Sequence, residues 1–303
     1  MQSQQPTHKE VPHGHSIAGF HDEKSVNARE WNVWLWRGYA KEYDLNLLGA
    51  LVTKSTTLAP RIGNQGTIFA DGPDSTLNAV GLKNPGSDVV LHEKLPWLAT
   101  QYPDLPIIAS IAGVDVAEYA AVAKKLSAAP NVKALEVNIS CPNVKQGGMA
   151  FGTDPEVAAA VTRAVKAASS VPIFVKLTPN VTDITAIAEA VEQAGADGLS
   201  LINTFVGMRL DIATGKPLLD NVTGGVSGPA LLPMALHMVY QVAHAVRVPL
   251  IGMGGISSGH DAAEMLAAGA TALAVGSANY YQKRAIPKIA AELAAIQEGQ
   301  TVL

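Results

Sequence analysis

The sequence predicts an α/β fold, a parallel (β/α)8 or TIM barrel whose first strand is missing or altered. Three observations predict it. Short β-branched runs alternate with Ala-rich stretches of helical period, the pattern of βα units around a parallel sheet. Several helical stretches end in glycine, as in Ala194-Gly195-Ala196-Asp197 and Ala268-Gly269-Ala270, which closes a helix before the next strand. No break in composition marks a second large domain, and 303 residues at 48% hydrophobic content suffice for one large core.

In order, the predicted strands are Leu48–Lys54, Pro106–Ala112, Lys133–Ile139, Pro172–Thr178, Gly198–Asn203, Pro249–Gly254 and Ala272–Gly276. Helical periodicity is clearest over Val116–Leu126, Pro155–Ala168, Asp183–Ala194, Ala230–Ala245, Asp261–Ala268 and Ile286–Gln297. That gives seven strands where a closed barrel needs eight. The missing one belongs upstream of Leu48, where the chain instead carries Trp31, Trp34 and Trp36, three of its four tryptophans. The stretch Ser55–Pro96 is long for a βα connection and is expected to form a rim around a site. Gln146–Gly152 and Gly207–Gly228 are expected to be further long loops.

Bulk properties exclude several classes. The net charge is −4 and no dense basic patch occurs, which argues against nucleic acid as a partner. No apolar run reaches membrane-spanning length, and residues 1–15 lack the apolar centre of a signal peptide. A single cysteine excludes an internal disulfide. A soluble, cytoplasmic protein is expected.

In a parallel barrel, chemistry sits at the C-terminal strand ends. Those ends read Lys54, Asn138 to Cys141, Lys176, Asn203-Thr204, Gly254-Gly255 and Gly276-Ser277. Cys141, the lone thiol, lies between the carboxamides Asn138 and Asn143, which can donate and accept in one plane and suit a flat ring containing amides. A lone cysteine is more often a buried small hydrophobe, so the thiol by itself decides nothing. The two glycine-rich ends fall where this fold binds phosphate, because bare backbone N–H groups approach an anion closely there. A non-redox barrel, an aldolase or isomerase using Lys54 or Lys176 as a Schiff base, is the competing reading of these features.

The matching segments are Thr53–Thr57, Asn78–Gly86, Asn138–Gly148, Ile202-Asn203-Thr204, Gly207-Met208-Arg209 and Thr223–Pro229, together with the two phosphate loops. In that order and spacing, residues from about Gly38 to Asn279 resemble the class 1B dihydroorotate dehydrogenase catalytic subunit. The resemblance implies oxidation of dihydroorotate to orotate in pyrimidine biosynthesis, on FMN. Cys141 is implied as the base that takes the C5 proton while the C6 hydride leaves to the flavin. Lys54, Asn78, Asn138, Asn143, Asn203 and Thr204, with Gly81 and Leu82, are implied to hold the substrate. Lys54, Ser55, Asn138, Lys176, Ile202, Ser227, Gly228, Gly254, Gly255, Gly276 and Ser277 are implied to hold FMN. The resemblance further implies a homodimer, and a heterotetramer with a partner subunit whose FAD and 2Fe–2S cluster pass electrons to NAD. With one cysteine this chain cannot hold such a cluster itself.

The resemblance starts at Arg37-Gly38-Tyr39-Ala40 and covers residues 38–303 as one barrel; residues 1–37 are an atypical segment. Members of the family carry a first strand close to A-S-G-T-F-G-F-G. A tryptophan codon, TGG, read from its second base always begins GG and encodes glycine. Trp31, Trp34 and Trp36 then become three glycines at the spacing of that strand. The residues up to about Trp36 are therefore expected to be an out-of-frame translation, which resequencing tests. The chain as written would then be an inactive or FMN-deficient product, the alternative to a working enzyme.

Overall fold

The computed structural model describes the backbone of residues 17–19 and, in full, residues 38–140 and 151–299. Eight parallel strands close into a barrel. They are β1 (Ile17–Gly19), β2 (Ala50–Val52), β5 (Ile107–Ile111), β6 (Val132–Asn138), β7 (Ile173–Lys176), β8 (Gly198–Leu201), β11 (Leu250–Met253) and β12 (Ala272–Val275). All seven predicted strands are present, six of them trimmed and the Lys133–Ile139 strand shifted by one residue to Val132–Asn138. The eighth position is filled by β1, which pairs with β12 through Ile17↔Leu273 and with β2 through Ala18↔Ala50. The first strand is thus altered rather than absent, a three-residue segment.

Four of the barrel helices begin where a side chain satisfies free N–H groups of the first turn. Asp115 accepts from the Glu118 N–H, Asp154 from Glu156 and Val157, and Asp183 from Thr185 and Ala186. Ser258 and Asp261 form a reciprocal capping box. The helices run over Val116–Leu126, Pro155–Ala168, Ile184–Gln193, Leu232–Ala245, Gly259–Ala267 and Ala285–Gln297. Their apolar faces pack on the outward side of the barrel strands, and this shell, with Ile107, Leu135, Val137, Ile173 and Leu199, is the main core.

The period of two along a strand sends alternate residues inward. A separate cluster of Ala50, Val52, Ile108, Ala134, Ile251, Met253 and Ala274 fills the barrel interior, with Phe174 against it. Along β6 the inward series is Ala134, Glu136, Asn138, so the interior becomes polar toward the C-terminal mouth.

A second, antiparallel sheet accompanies that mouth, in the order β3 (Phe69–Gly72), β4 (Ser75–Asn78), β10 (Gly224–Ser227), β9 (Phe205–Gly207). The expected rim Ser55–Pro96 therefore holds two strands. The expected loop Gly207–Gly228 is corrected, because β10 runs inside it. Its glycines concealed the strand, yet one is needed there: a Cβ on Gly225 would fall 2.2 Å from Thr204 Oγ1. Residues 146–150 lie outside the described residues.

Tyr43 is buried in the main core, and burial pushes its phenol up to about 12. The folded state therefore keeps the phenol proton that the unfolded chain gives up near pH 10. The stabilising contribution is complete below about pH 10 and is lost as pH rises toward about 12. Denaturant midpoints measured across that window should fall in the parent protein and fall less steeply in Tyr43→Phe.

Candidate functional site

Lys54 follows β2, Asn138 ends β6, Lys176 ends β7, and Ile202-Asn203-Thr204 follow β8. Gly254-Gly255 follow β11, and Gly276-Ser277 follow β12. The mouth sheet brings in Asn78 at the end of β4 and Ser227-Gly228 at the end of β10. Together with Ser55, Gly81 and Leu82, all of these line one cavity of about 1170 Å³, including its open mouth. The structure therefore gathers every described residue of the expected site into one place. Cys141 and Asn143 lie outside the described residues; the chain reaches them through Ser140, which is fully buried.

The cavity contains residues the sequence reading did not single out. Thr53, Ser110, Glu136 and Tyr280 line it as well. Glu136 carried a usable signal, a lone carboxylate inside the apolar run Ala134–Val137 at an inward position. Ser110 carried none, since a small hydroxyl in a buried strand reads as filler.

Glu136 lies 3.5 Å from Lys176 Nζ, with side chains only 3% and 11% exposed. Its Oε1 accepts from Ser110 Oγ at 3.1 Å and its Oε2 from Ser200 Oγ at 3.1 Å. Among the described lining residues Glu136 brings the one carboxylate and Lys54 and Lys176 the two ammonium groups, so the cavity is net positive. A buried anion that faces an ammonium and two hydroxyl donors is compensated in the way such a group requires.

The carboxamides are anchored. Asn138 Nδ2 donates to Ser55 Oγ at 2.8 Å, and its Oδ1 accepts from the Ser140 N–H and hydroxyl at 3.2 and 3.0 Å. Tyr119 donates its hydroxyl to the Asn138 carbonyl at 2.7 Å, fixing the backbone as well. Asn203 Nδ2 donates to Ser140 Oγ at 2.7 Å, and its Oδ1 accepts from the Thr204 N–H at 2.8 Å. Asn180 ties this stretch to β7: it donates to Thr204 O at 3.0 Å and accepts from the Val206 N–H at 2.8 Å.

The turn at Gly81-Leu82 has left-handed backbone at both residues, φ 74° and 57°. That is uncommon for leucine and persists only where the surroundings enforce it. Asn84 does so: it accepts from the N–H groups of Thr57 and Gly86 and donates to Leu82 O and Thr57 Oγ1. Asn64 adds a bond to Ala79 O at 2.8 Å.

Gly255 also has left-handed backbone, φ 82°, and a Cβ there would fall 2.5 Å from the Leu232 amide nitrogen. The first phosphate-type loop is thus packed against the start of the Leu232–Ala245 helix with no room for a side chain.

Comparison with known proteins agrees with this geometry. A family model described as dihydroorotate dehydrogenase matches residues 37–296. The dihydroorotate dehydrogenase B (NAD(+)) catalytic subunit of Anoxybacillus flavithermus is 60% identical over 260 residues, 86% of this chain and 83% of the relative. The protein of the same name from Geobacillus kaustophilus is 58% identical over 260 residues, 86% and 82% of the two chains. That from Latilactobacillus sakei is 56% identical over 251 residues, 83% and 82% of the two. With the matched span covering most of the barrel and both phosphate-type loops, this chain belongs to the dihydroorotate dehydrogenase family.

Proposed function

We propose that the chain oxidises dihydroorotate to orotate, a step of pyrimidine biosynthesis, as an FMN-dependent, NAD-linked catalytic subunit. The observation that supports this most is the joint placement of two lysines, anchored carboxamides and two glycine-rich loops around one cavity. The residues present fit FMN. Gly254-Gly255 and Gly276-Ser277 offer backbone to a phosphate, Ser227-Gly228 border the ribityl path, and Lys54 and Lys176 supply positive charge.

Bound FMN supplies a two-electron acceptor for the hydride that leaves C6 of the substrate. The chain's residues do the rest. Cys141, as thiolate, takes the C5 proton; a thiol with pKa about 8.5 leaves a few per cent thiolate near neutrality. Asn78, Asn138, Asn143, Asn203 and Thr204 hold the ring and its carboxylate, with the backbone of Gly81-Leu82. Lys54 and Lys176 place fixed positive charge where negative charge develops, which costs no reorganisation during the reaction. Ile202 and Ser55 would pack or hydrogen-bond against the cofactor.

The electrons would then pass to NAD through a partner subunit that would carry FAD and a 2Fe–2S cluster, the barrel pairing as a homodimer within a heterotetramer. The name "catalytic subunit" borne by the relatives supports a partner. Among the described residues no helix is long and apolar enough to cross a membrane. Residues 1–37 are an atypical segment ahead of residues 38–303, with β1 inside it completing the barrel, and no observation favours the inactive, FMN-deficient alternative.

Purification without added cofactor tests the reading: one FMN per chain and dye reduction by dihydroorotate are expected, and colourless, inactive protein would overturn it. A Gly255→Ala chain should lose most of its FMN, because the new Cβ displaces the loop from Leu232 or forces strain into it. Flavin content after desalting reads this directly.

A further inference from the structure

We propose that Glu136 and Ser110 are positioning residues that set the polarity of the Asn138 and Asn203 carboxamides, restricting that side of the pocket to ligands that present hydrogen-bond acceptors. The inference rests on the dihydroorotate reading and deepens it.

The argument is a sequence of forced donor assignments. An ionised carboxylate only accepts. The proton of Ser110 Oγ is therefore committed to Glu136 Oε1 at 3.1 Å. Ser110 and Ser55 hydroxyls lie 2.8 Å apart, and with Ser110 committed, Ser55 is the donor. Ser55, its own proton used, meets Asn138 at 2.8 Å, so Asn138 turns its Nδ2 toward it. Asn138 Oδ1 then faces Ser140 and takes its hydroxyl proton at 3.0 Å. Ser140 Oγ is left as an acceptor, and Asn203 approaches it with Nδ2 at 2.7 Å. Every donor in the series points toward the one carboxylate.

Two backbone groups require the same direction independently. The N–H groups of Ser140 and Thr204 can only donate, and they meet Asn138 Oδ1 at 3.2 Å and Asn203 Oδ1 at 2.8 Å. Ser110 and Ser140 are buried, so bulk water does not compete for these bonds. Networks of this kind strengthen when each member's polarity agrees with the next.

The consequence is chemical. Both carboxamide oxygens are used inside the protein, while each Nδ2 has a second N–H to offer, and both residues line the cavity. The pocket wall formed by Asn138 and Asn203 is a pair of donors. Ring carbonyl or carboxylate oxygens, as on orotate, satisfy it; a ring N–H directed there finds no acceptor.

Orotate is titrated into the FMN-loaded protein, read by the change in flavin absorbance and by calorimetry. Ser110→Ala cuts the series while leaving Glu136 beside Lys176, and should weaken orotate about three- to tenfold. Ser55→Ala, one link further, should give a loss of the same size. Ser200→Ala removes a donor to the same carboxylate from outside the series and should change affinity less than about twofold. On an Asn138→Ala background, Ser110→Ala should cost less than about twofold more, because its effect runs through Asn138. Equal effects of Ser110→Ala and Ser200→Ala, or a Ser110→Ala loss undiminished on the Asn138→Ala background, would overturn the assignment. Parent protein that holds FMN yet binds no orotate would instead overturn the dihydroorotate reading, and the inference with it.

Discussion

Cys141→Ala should lower dihydroorotate turnover by about 10²- to 10⁴-fold, the contribution of a well-placed general base, while FMN content stays at one per chain. Apart from Asn138, the residues proposed to hold FMN lie on other strand ends, so the thiol can be removed without dismantling the cofactor site. The residue before it, Ser140, is buried and joined to both Asn138 and Asn203, the carboxamides proposed to hold the ring. With the Cys141 thiolate as the proposed base, turnover should rise with pH up to about the ordinary thiol pKa near 8.5. Cys141→Ser, with a hydroxyl that stays protonated throughout, should lose that rising limb as well as rate. A turnover profile flat from about pH 6 to 9 in the parent protein would argue against a cysteine base.

Glu136→Ala should be among the most destabilising single changes in the chain, by about 3–5 kcal/mol, the usual cost of deleting one member of a buried ion pair. The carboxylate faces Lys176 at 3.5 Å and takes two serine protons inside the barrel, and its loss strands those groups without their anion. A chain of this size should show a drop of roughly 5–8 °C in unfolding temperature. Glu136→Gln keeps the volume and one carbonyl acceptor, so it should be milder in stability while still raising the net positive charge of the cavity. Urea midpoints of the three proteins check this; an alanine variant as stable as the parent would contradict it.

How much of this was legible in the sequence depended on contrast. Lys54, Asn138 and Lys176 stood out because each is a polar residue closing an apolar, β-branched run, which is how an inward position at a barrel mouth looks. The glycine pairs stood out because their place in the strand order matched the phosphate end of the fold. Glu136 and Ser110 face inward at one level, a layer below Asn138; the lone carboxylate of Glu136 in an apolar run was a usable signal, whereas the small hydroxyl of Ser110 could not be told from filler. The mouth sheet was illegible for the opposite reason: β10 is glycine-rich where Gly225 must pass Thr204 closely, and glycine reads as loop. The first strand lacked any apolar alternation from which to be read, and only its pairing with β12 and β2 reveals it.

The most direct test is anaerobic mixing of the FMN-loaded protein with dihydroorotate in the absence of any partner subunit or NAD. The account predicts that the yellow flavin band bleaches and that one orotate forms per FMN. Flavin that stays oxidised, although bound and although dihydroorotate is in excess, would contradict it.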